Sequence, residues 1–130
     1  MRLLLDSHVV IWWLTDASRL GPQTRSMLFD PDTDIVVSLA SIWELAAKAS
    51  RGSLPLPAPI VPRIVATLTG KARFLAINEA HLSALEVLPR HHGDPFDRML
   101  IAQSMVEGLT LATADGAITK YALLRHDAES

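Results

Sequence analysis

In the stretch "HHGDPFDRMLIAQSMVEGLTLATAD" (91–115), a helical pattern over 95–108 runs at once into the apolar segment "LTLAT" (109–113), with Asp115 two residues further on. Backbone chemistry marks both ends of that helix: Asp94 stands as N-cap with Pro95 at the first helical position, and Gly108 stops it. The segment after it is continuously apolar rather than alternating, as expected of a strand buried on both faces. Working outward, the same kind of run recurs at "RLLLD" (2–6), "DIVVS" (34–38) and "FLAI" (74–77), and helical patterns fall between the runs at about 8–15, 38–52, 60–69 and 78–88. Ser38 and Asn78 are good N-caps for two of these helices, and Gly52 stops the first of them. Strands separated by helices imply parallel crossovers. The expected fold is therefore α/β and three-layered, a parallel sheet of four to five strands flanked by helices.

The chain has 130 residues, which fits a single domain over 1–130. Hydrophobic residues make up 49% and charged ones 20%, which excludes a disordered chain and leaves a globular one. No cysteine is present, so neither a disulfide framework nor thiolate chemistry is available, in keeping with a cytoplasmic setting. In the opening "MRLLLDSHVVIWWLTD", Asp6 and His8 interrupt the apolar core that a signal peptide needs, so it reads as folded structure. No run approaches the roughly 18 apolar residues of a membrane span, and no membrane partner is expected. The proline-rich "LPLPAPIVP" (54–62) reads as an extended connector inside the domain. The net charge of −2 at first disfavours nucleic acid; if four carboxylates are committed to a cation, the rest of the chain carries −2 + 4 = +2, and nine of its twelve basic residues are Arg. Arginine suits phosphate because its planar fork donates two parallel hydrogen bonds.

Ligand sites of open parallel sheets lie beyond the carboxyl ends of the strands, and there the chain places acids. Asp6 closes the first run and Asp115 follows the last. Asp97 sits at the mouth of the 95–108 helix, and Glu44 lies in the 38–52 helix on a face of small residues, Ala40, Ser41 and Ala47. Each has a purely structural reading. Asp6 or Ser7 can cap the following helix, Asp97 at the third helical position favours the dipole, Asp115 before Gly116 suits a turn, and Glu44 can pair with Lys48 at i, i+4. In a parallel sheet whose first and fourth runs are neighbours, however, Asp6, Asp115 and the start of the 95–108 helix converge on one end. Two carboxylates about 4 Å apart repel by about 4 kcal/mol at an effective dielectric near 20, so such a cluster needs protons or a cation. Hard oxygen donors with no cysteine select Mg²⁺ or Mn²⁺ over zinc. A water activated by such an ion attacks phosphodiesters.

These residues also carry a resemblance. "LLLDSHVVIWWL", "SIWELAAK", "HHGDPFDRMLIAQSMVEG" and "LTLATAD", in that order over almost the whole chain, look like a PIN-domain protein of the VapC type, the toxin half of a bacterial toxin–antitoxin pair. The resemblance implies that Asp6, Glu44, Asp97 and Asp115 bind Mg²⁺ or Mn²⁺ for endoribonuclease cleavage of RNA, with Asp97 rather than Asp94 as the ligand before "RMLIAQ". It implies a homodimer and a small antitoxin partner that inserts a segment into the active-site groove. The family often carries a last short strand, for which only "ALLRHDAES" (122–130) remains, a weak match.

Ser7 and Thr113 are candidates for supporting groups around the ion, and Arg98, beside Asp97, is a candidate for reaching substrate phosphate. His91 and His92 read as loop residues flanking the site, because metal-activated hydrolysis needs no histidine base, and His8 reads as a surface or partly buried helix position. Trp12, Trp13, Trp43, Met99 and Met105 read as core. Two rivals remain: a phosphate-transfer receiver domain, which would want an acidic pair after the first strand, and a non-catalytic PIN-like module that binds a protein partner.

Overall fold

Leu3, Leu4 and Leu5 are consecutive and fully buried, yet they feed two different cores. Leu3 and Leu5 pack with Val9, Ile35, Val37, Leu45 and Ile64, whereas Leu4 packs with Val36, Leu100, Ile101 and Leu111. Alternate side chains of a strand point to opposite faces, so a strand apolar at every position must be covered on both sides. That is the physical origin of the three layers. Burying a Leu, Ile or Val side chain contributes about 1.5–3 kcal/mol, which makes these runs the main source of stability.

The computed structural model describes residues 1–116, 118, 121 and 125–130. Its strands are β1 (Arg2–Leu5), β2 (Asp34–Ser38), β3 (Arg73–Leu75), β4 (Thr110–Thr113) and β5 (Arg125–Asp127). They form one parallel sheet in the order β3-β2-β1-β4-β5, with Leu5 opposite both Val37 and Ala112. The helices are α1 (Ser7–Thr15), α2 (Pro22–Phe29), α3 (Leu39–Ser50), α4 (Val61–Leu68), α5 (Glu79–Val87) and α6 (Pro95–Glu107), with a 3₁₀ turn at Ala17–Arg19. Buried residues of α1, α2 and α4 join the core of Leu3 and Leu5, and those of α6 join the core of Leu4. Helix α3 contributes to both.

The order of the strands decides between fold families. The order in which strands are added to the sheet reverses between β1 and β4, so their carboxyl ends open on a crevice between diverging connections. A receiver domain has the order 2-1-3-4-5, and that rival is excluded.

The expected caps form. The hydroxyl of Ser38, the amide oxygen of Asn78 and the carboxylate of Asp94 accept backbone N–H groups of their helices, and Gly108 ends α6 in the left-handed region at φ 66°. Several expectations need correction. Helix α2 was not anticipated; only Thr24 and Leu28 of its eight residues are buried, so it lacks an apolar stripe to betray it. Trp43 is 62% exposed and Met105 is 49% exposed, so neither is core. Trp43 instead stands edge-on to Phe96, ring centroids 5.0 Å apart, on the outside of the α3–α6 contact. The last strand does form, from the polar residues Arg125, His126 and Asp127. Residues 122–124 of the candidate segment lie outside the described residues.

Candidate metal centre

Asp6 leaves the end of β1 and is both a helix cap and part of a cleft. Its Oδ1 accepts the N–H of Val9 at 2.9 Å, while the residue itself is only 3% exposed. Across the switch point, β4 ends at Thr113, whose hydroxyl hydrogen-bonds the Asp6 carboxylate and accepts the N–H of Asp115 at 3.0 Å. One threonine thus ties the acids that follow β1 and β4. Asp97 arrives from the first turn of α6, where Asp94 Oδ1 accepts the N–H groups of Phe96 and Asp97. Glu44 projects from the middle of α3 and is 5% exposed.

These elements enclose a cleft of about 400 Å³ lined by Asp6, Glu44, Asp94, Asp97 and Asp115. Asp94, the N-cap of α6, is a fifth carboxylate on this cleft beside the favoured Asp97. The bases on the same cleft are His8, Arg19 and Lys48.

The electrostatic cost is visible at Asp97. Burial, followed by repulsion from Asp94 and Glu44 and a hydrogen bond shared with Asp115, pushes its carboxyl up to about 8 from an ordinary 3.8. Burial likewise raises Asp6, against the hydrogen bonds of Thr113 and Val9 that lower it. Without a cation, Asp97 therefore holds a proton at neutral pH, the expected outcome when like charges share a desolvated site.

Ligand atoms of Asp97, Asp115 and His92 lie within 4.8 Å of one another, the one such group among the described residues. Asp6 and Glu44 line the same cleft but stand outside that group. Both oxygens of Glu44 are engaged. Oε1 accepts the Ser7 hydroxyl at 2.7 Å and Oε2 pairs with Lys48 Nζ at 2.9 Å. The i, i+4 pair and the inward-facing carboxylate, read from the sequence as alternatives, are thus both present.

His92 was set aside as a flanking loop residue, and its geometry is more specific than that. The Tyr121 hydroxyl accepts N–H groups from the His92 backbone at 3.3 Å and from Arg98 at 3.1 Å, and lies 2.8 Å from His92 Nδ1. Having accepted twice, that hydroxyl has its own proton to give to Nδ1, which assigns the ring proton to Nε2. Nε2 is buried, 3.6 Å from Asp97 Oδ2 and without a hydrogen-bond partner. In this tautomer His92 presents a donor toward Asp97, not a lone pair toward an ion. No pattern of spacing announces that role, because it depends on Tyr121.

Arg98 corrects an expectation. It is 7% exposed, and its guanidinium donates to the carbonyls of Leu88 and Pro89 and to Tyr121. It is neither solvated nor on the cleft lining; it braces the 88–92 loop against α6. Ser7 and Thr113, by contrast, stand against Glu44 and Asp6, where supporting groups were expected.

The donor set suits a hard divalent cation: carboxylate oxygens converge, are partly desolvated, and carry more negative charge than the cleft neutralises on its own.

Residues 3–124 match the PIN domain family. "Ribonuclease VapC22" of Mycobacterium tuberculosis (strain ATCC 25618 / H37Rv) is 30% identical over 120 residues, which cover 92% of this chain and 91% of that protein. Among solved structures, the fold resembles that of VapBC2 from Rickettsia felis bound to a promoter DNA fragment, with TM-score 0.75, 12% identity and coverage of 97% and 98% of the two chains. It also resembles VapBC-1 of nontypeable Haemophilus influenzae, with TM-score 0.70, 18% identity and full coverage of both. No helix among the described residues is long and apolar enough to cross a membrane.

Proposed function

Since the chain belongs to the PIN-domain family, we propose that it is a divalent-metal-dependent endoribonuclease, the toxin of a toxin–antitoxin pair, working in the cytoplasm as a single catalytic domain. The observation that carries this reading is the convergence of five carboxylates on one cleft at the β1/β4 switch point. A non-catalytic binding module would have no need to maintain so repulsive an arrangement.

Asp97 and Asp115, whose ligand atoms lie within 4.8 Å of each other, would hold a Mg²⁺ or Mn²⁺ ion together with Asp6, and Glu44 would complete the acidic wall. When bound, the ion supplies Lewis acidity toward the phosphodiester and lowers the pKa of water. The chain's own groups do the positioning. Thr113 holds Asp6 and the Asp115 backbone in register, Ser7 fixes the rotamer of Glu44, and Lys48 draws charge from the second Glu44 oxygen. His92 Nε2 faces Asp97 Oδ2 at 3.6 Å and closes that side of the site. Such preorganisation matters because hydrolysis demands fixed dipoles at the place where charge develops.

The relative of known name is a ribonuclease, and the similar structures are named as VapBC assemblies. Those names support RNA as substrate and a small antitoxin as partner. A homodimer is supported by large apolar side chains left in solvent at Trp43, Leu82, Val87 and Met105. The test is cleavage of a labelled single-stranded RNA by purified protein in Mg²⁺, in Mn²⁺ and in EDTA. Metal-dependent cutting that Asp97→Asn abolishes is the expected result. No cutting of any RNA, together with no response of the melting temperature to Mn²⁺, would reduce the protein to a binding module.

A further inference from the structure

The acidic cleft does not end at its carboxylates. His8, Trp12, Arg19 and Lys48 line it on one side, and the same four residues line a second cleft of about 530 Å³ between α1, α3 and the start of the proline-rich connector. Leu45, Leu54 and Pro55 supply apolar walls there. The two clefts therefore form one continuous trough whose middle is cationic and aromatic.

Three observations define that middle. The Arg19 guanidinium lies over the Trp12 ring, 4.6 Å from its centroid, and Trp12 is half-buried while Arg19 is exposed. His8 stands 5.9 Å from the same ring at an interplanar angle of 47°. Arg19 makes no ion pair among the described residues, although Asp16 lines the second cleft; the Asp16 carboxylate accepts the Ser18 hydroxyl instead. A cation–π contact thus holds a planar, uncompensated cation at the junction. Lys48 adds a second charge, shared with Glu44.

Resting on the nuclease reading above, we infer that the second cleft is a nucleobase subsite: an unpaired base next to the cleaved phosphate stacks on Trp12, with Arg19 and Lys48 holding the adjoining phosphates. A polyanion has no electrostatic reason to enter five carboxylates, so its grip must come from beside them. The only bases on the acidic cleft are those at this junction among the described residues. Apolar walls, one large aromatic and flanking cations are the features by which single strands are bound, and a base within a duplex cannot present its face to such a ring. The strand then crosses from the stacked base to the acids through a passage that shares its lining residues with both.

Binding is read by anisotropy of fluorescein-labelled hexa-adenylate and of an abasic ribose-phosphate hexamer, on Asp97→Asn protein so that the strand stays intact. The parent should prefer the base-bearing strand. Trp12→Leu should weaken hexa-adenylate binding at least about fivefold and leave the abasic strand unaffected, while Trp12→Phe retains most of the preference. Arg19→Gln, on an exposed side chain that puts folding at no risk, should weaken both strands and flatten the salt dependence. Lack of base preference in the parent, its survival in Trp12→Leu, or an unchanged Arg19→Gln overturns the subsite. An apolar side chain of a protein partner as the true occupant would leave RNA binding unchanged and overturns it too. RNA cutting by the unaltered protein is measured alongside: cutting with no Trp12 effect sinks the subsite alone, whereas a Trp12 effect without cutting sinks the nuclease reading and leaves the subsite.

Discussion

Ser7 Oγ donates a 2.7 Å hydrogen bond to Oε1 of Glu44, joining the first residue of α1 to the middle of α3 in the interior of the protein. Ser7 is 3% exposed and Glu44 5%, so water cannot replace the donor if it is lost. Ser7→Ala should lower stability by about 1.5–3 kcal/mol, the usual worth of a hydrogen bond to a charged group. Cleavage should fall by more than that loss of folded protein explains, because Oε1 of Glu44 loses the hydroxyl that orients it while Oε2 stays tied to Lys48. Melting curves and kcat on the folded fraction check this, and unchanged kcat in Ser7→Ala would remove Glu44 orientation from the mechanism.

Asp97→Asn should cut RNA at least about a hundredfold more slowly. Above pH 8 it should also melt higher than the wild type in EDTA, since there the wild-type carboxylate is ionised and repelled by Asp94, Glu44 and Asp115. Mn²⁺ at a hundredfold excess over its Kd stabilises a folded protein by about 2.7 kcal/mol. Wild type should show that rise in Tm and Asp97→Asn should lose most of it.

The raised carboxyl of Asp97 fixes a pH dependence. Its folded value, about 8, lies above the ordinary 3.8, so the folded state binds the proton more tightly than the unfolded chain does. The resulting contribution to stability is fully present below 3.8, declines as pH rises and is gone above about 8. In EDTA, urea midpoints should therefore fall from pH 5 to pH 8.5, and Asp97→Asn should flatten the curve. Mn²⁺, which binds the ionised form, should reverse the trend and release protons on binding, measurable by calorimetry in buffers of different ionisation enthalpy.

Arg98→Met should destabilise the fold by about 2–4 kcal/mol, because it leaves the carbonyls of Leu88 and Pro89 and the Tyr121 hydroxyl without their donor. KM for RNA should stay unchanged on the folded fraction. A raised KM with unchanged stability would return Arg98 to the substrate.

What the residues disclosed in advance follows from where hydrophobic contrast exists. β1, β2 and β4 are buried on both faces and read as apolar runs; α6 carries Asp94, Pro95 and Gly108 as punctuation. β5 has no such contrast, since its three polar residues are held by backbone pairing to β4. Trp43 and Met105 misled because size and apolarity alone imply burial, whereas each sits on the outer face of its helix. Asp6, Asp97 and Asp115 were marked by their positions at strand ends and a helix mouth and Glu44 by the small residues on its helix face, and all four line one cleft. Asp94 ranked behind Asp97 and served well as a cap, and His92 was hidden by its dependence on Tyr121, a partner distant in sequence. The Arg98 error has the same root: adjacency to Asp97 suggested a shared direction, but neighbours on a helix diverge by about a hundred degrees.

The central pair of the sheet joins residues from opposite ends of the chain, Leu3–Leu5 with Thr110–Ala112. A polypeptide still emerging from the ribosome therefore carries Asp6 long before Asp115 exists to face it, and contacts so far apart in sequence close late. A chain stopped short of Asp115 therefore lacks one side of the acidic cleft, and the cleft is complete only once β4 and the residue pair beyond it have joined β1.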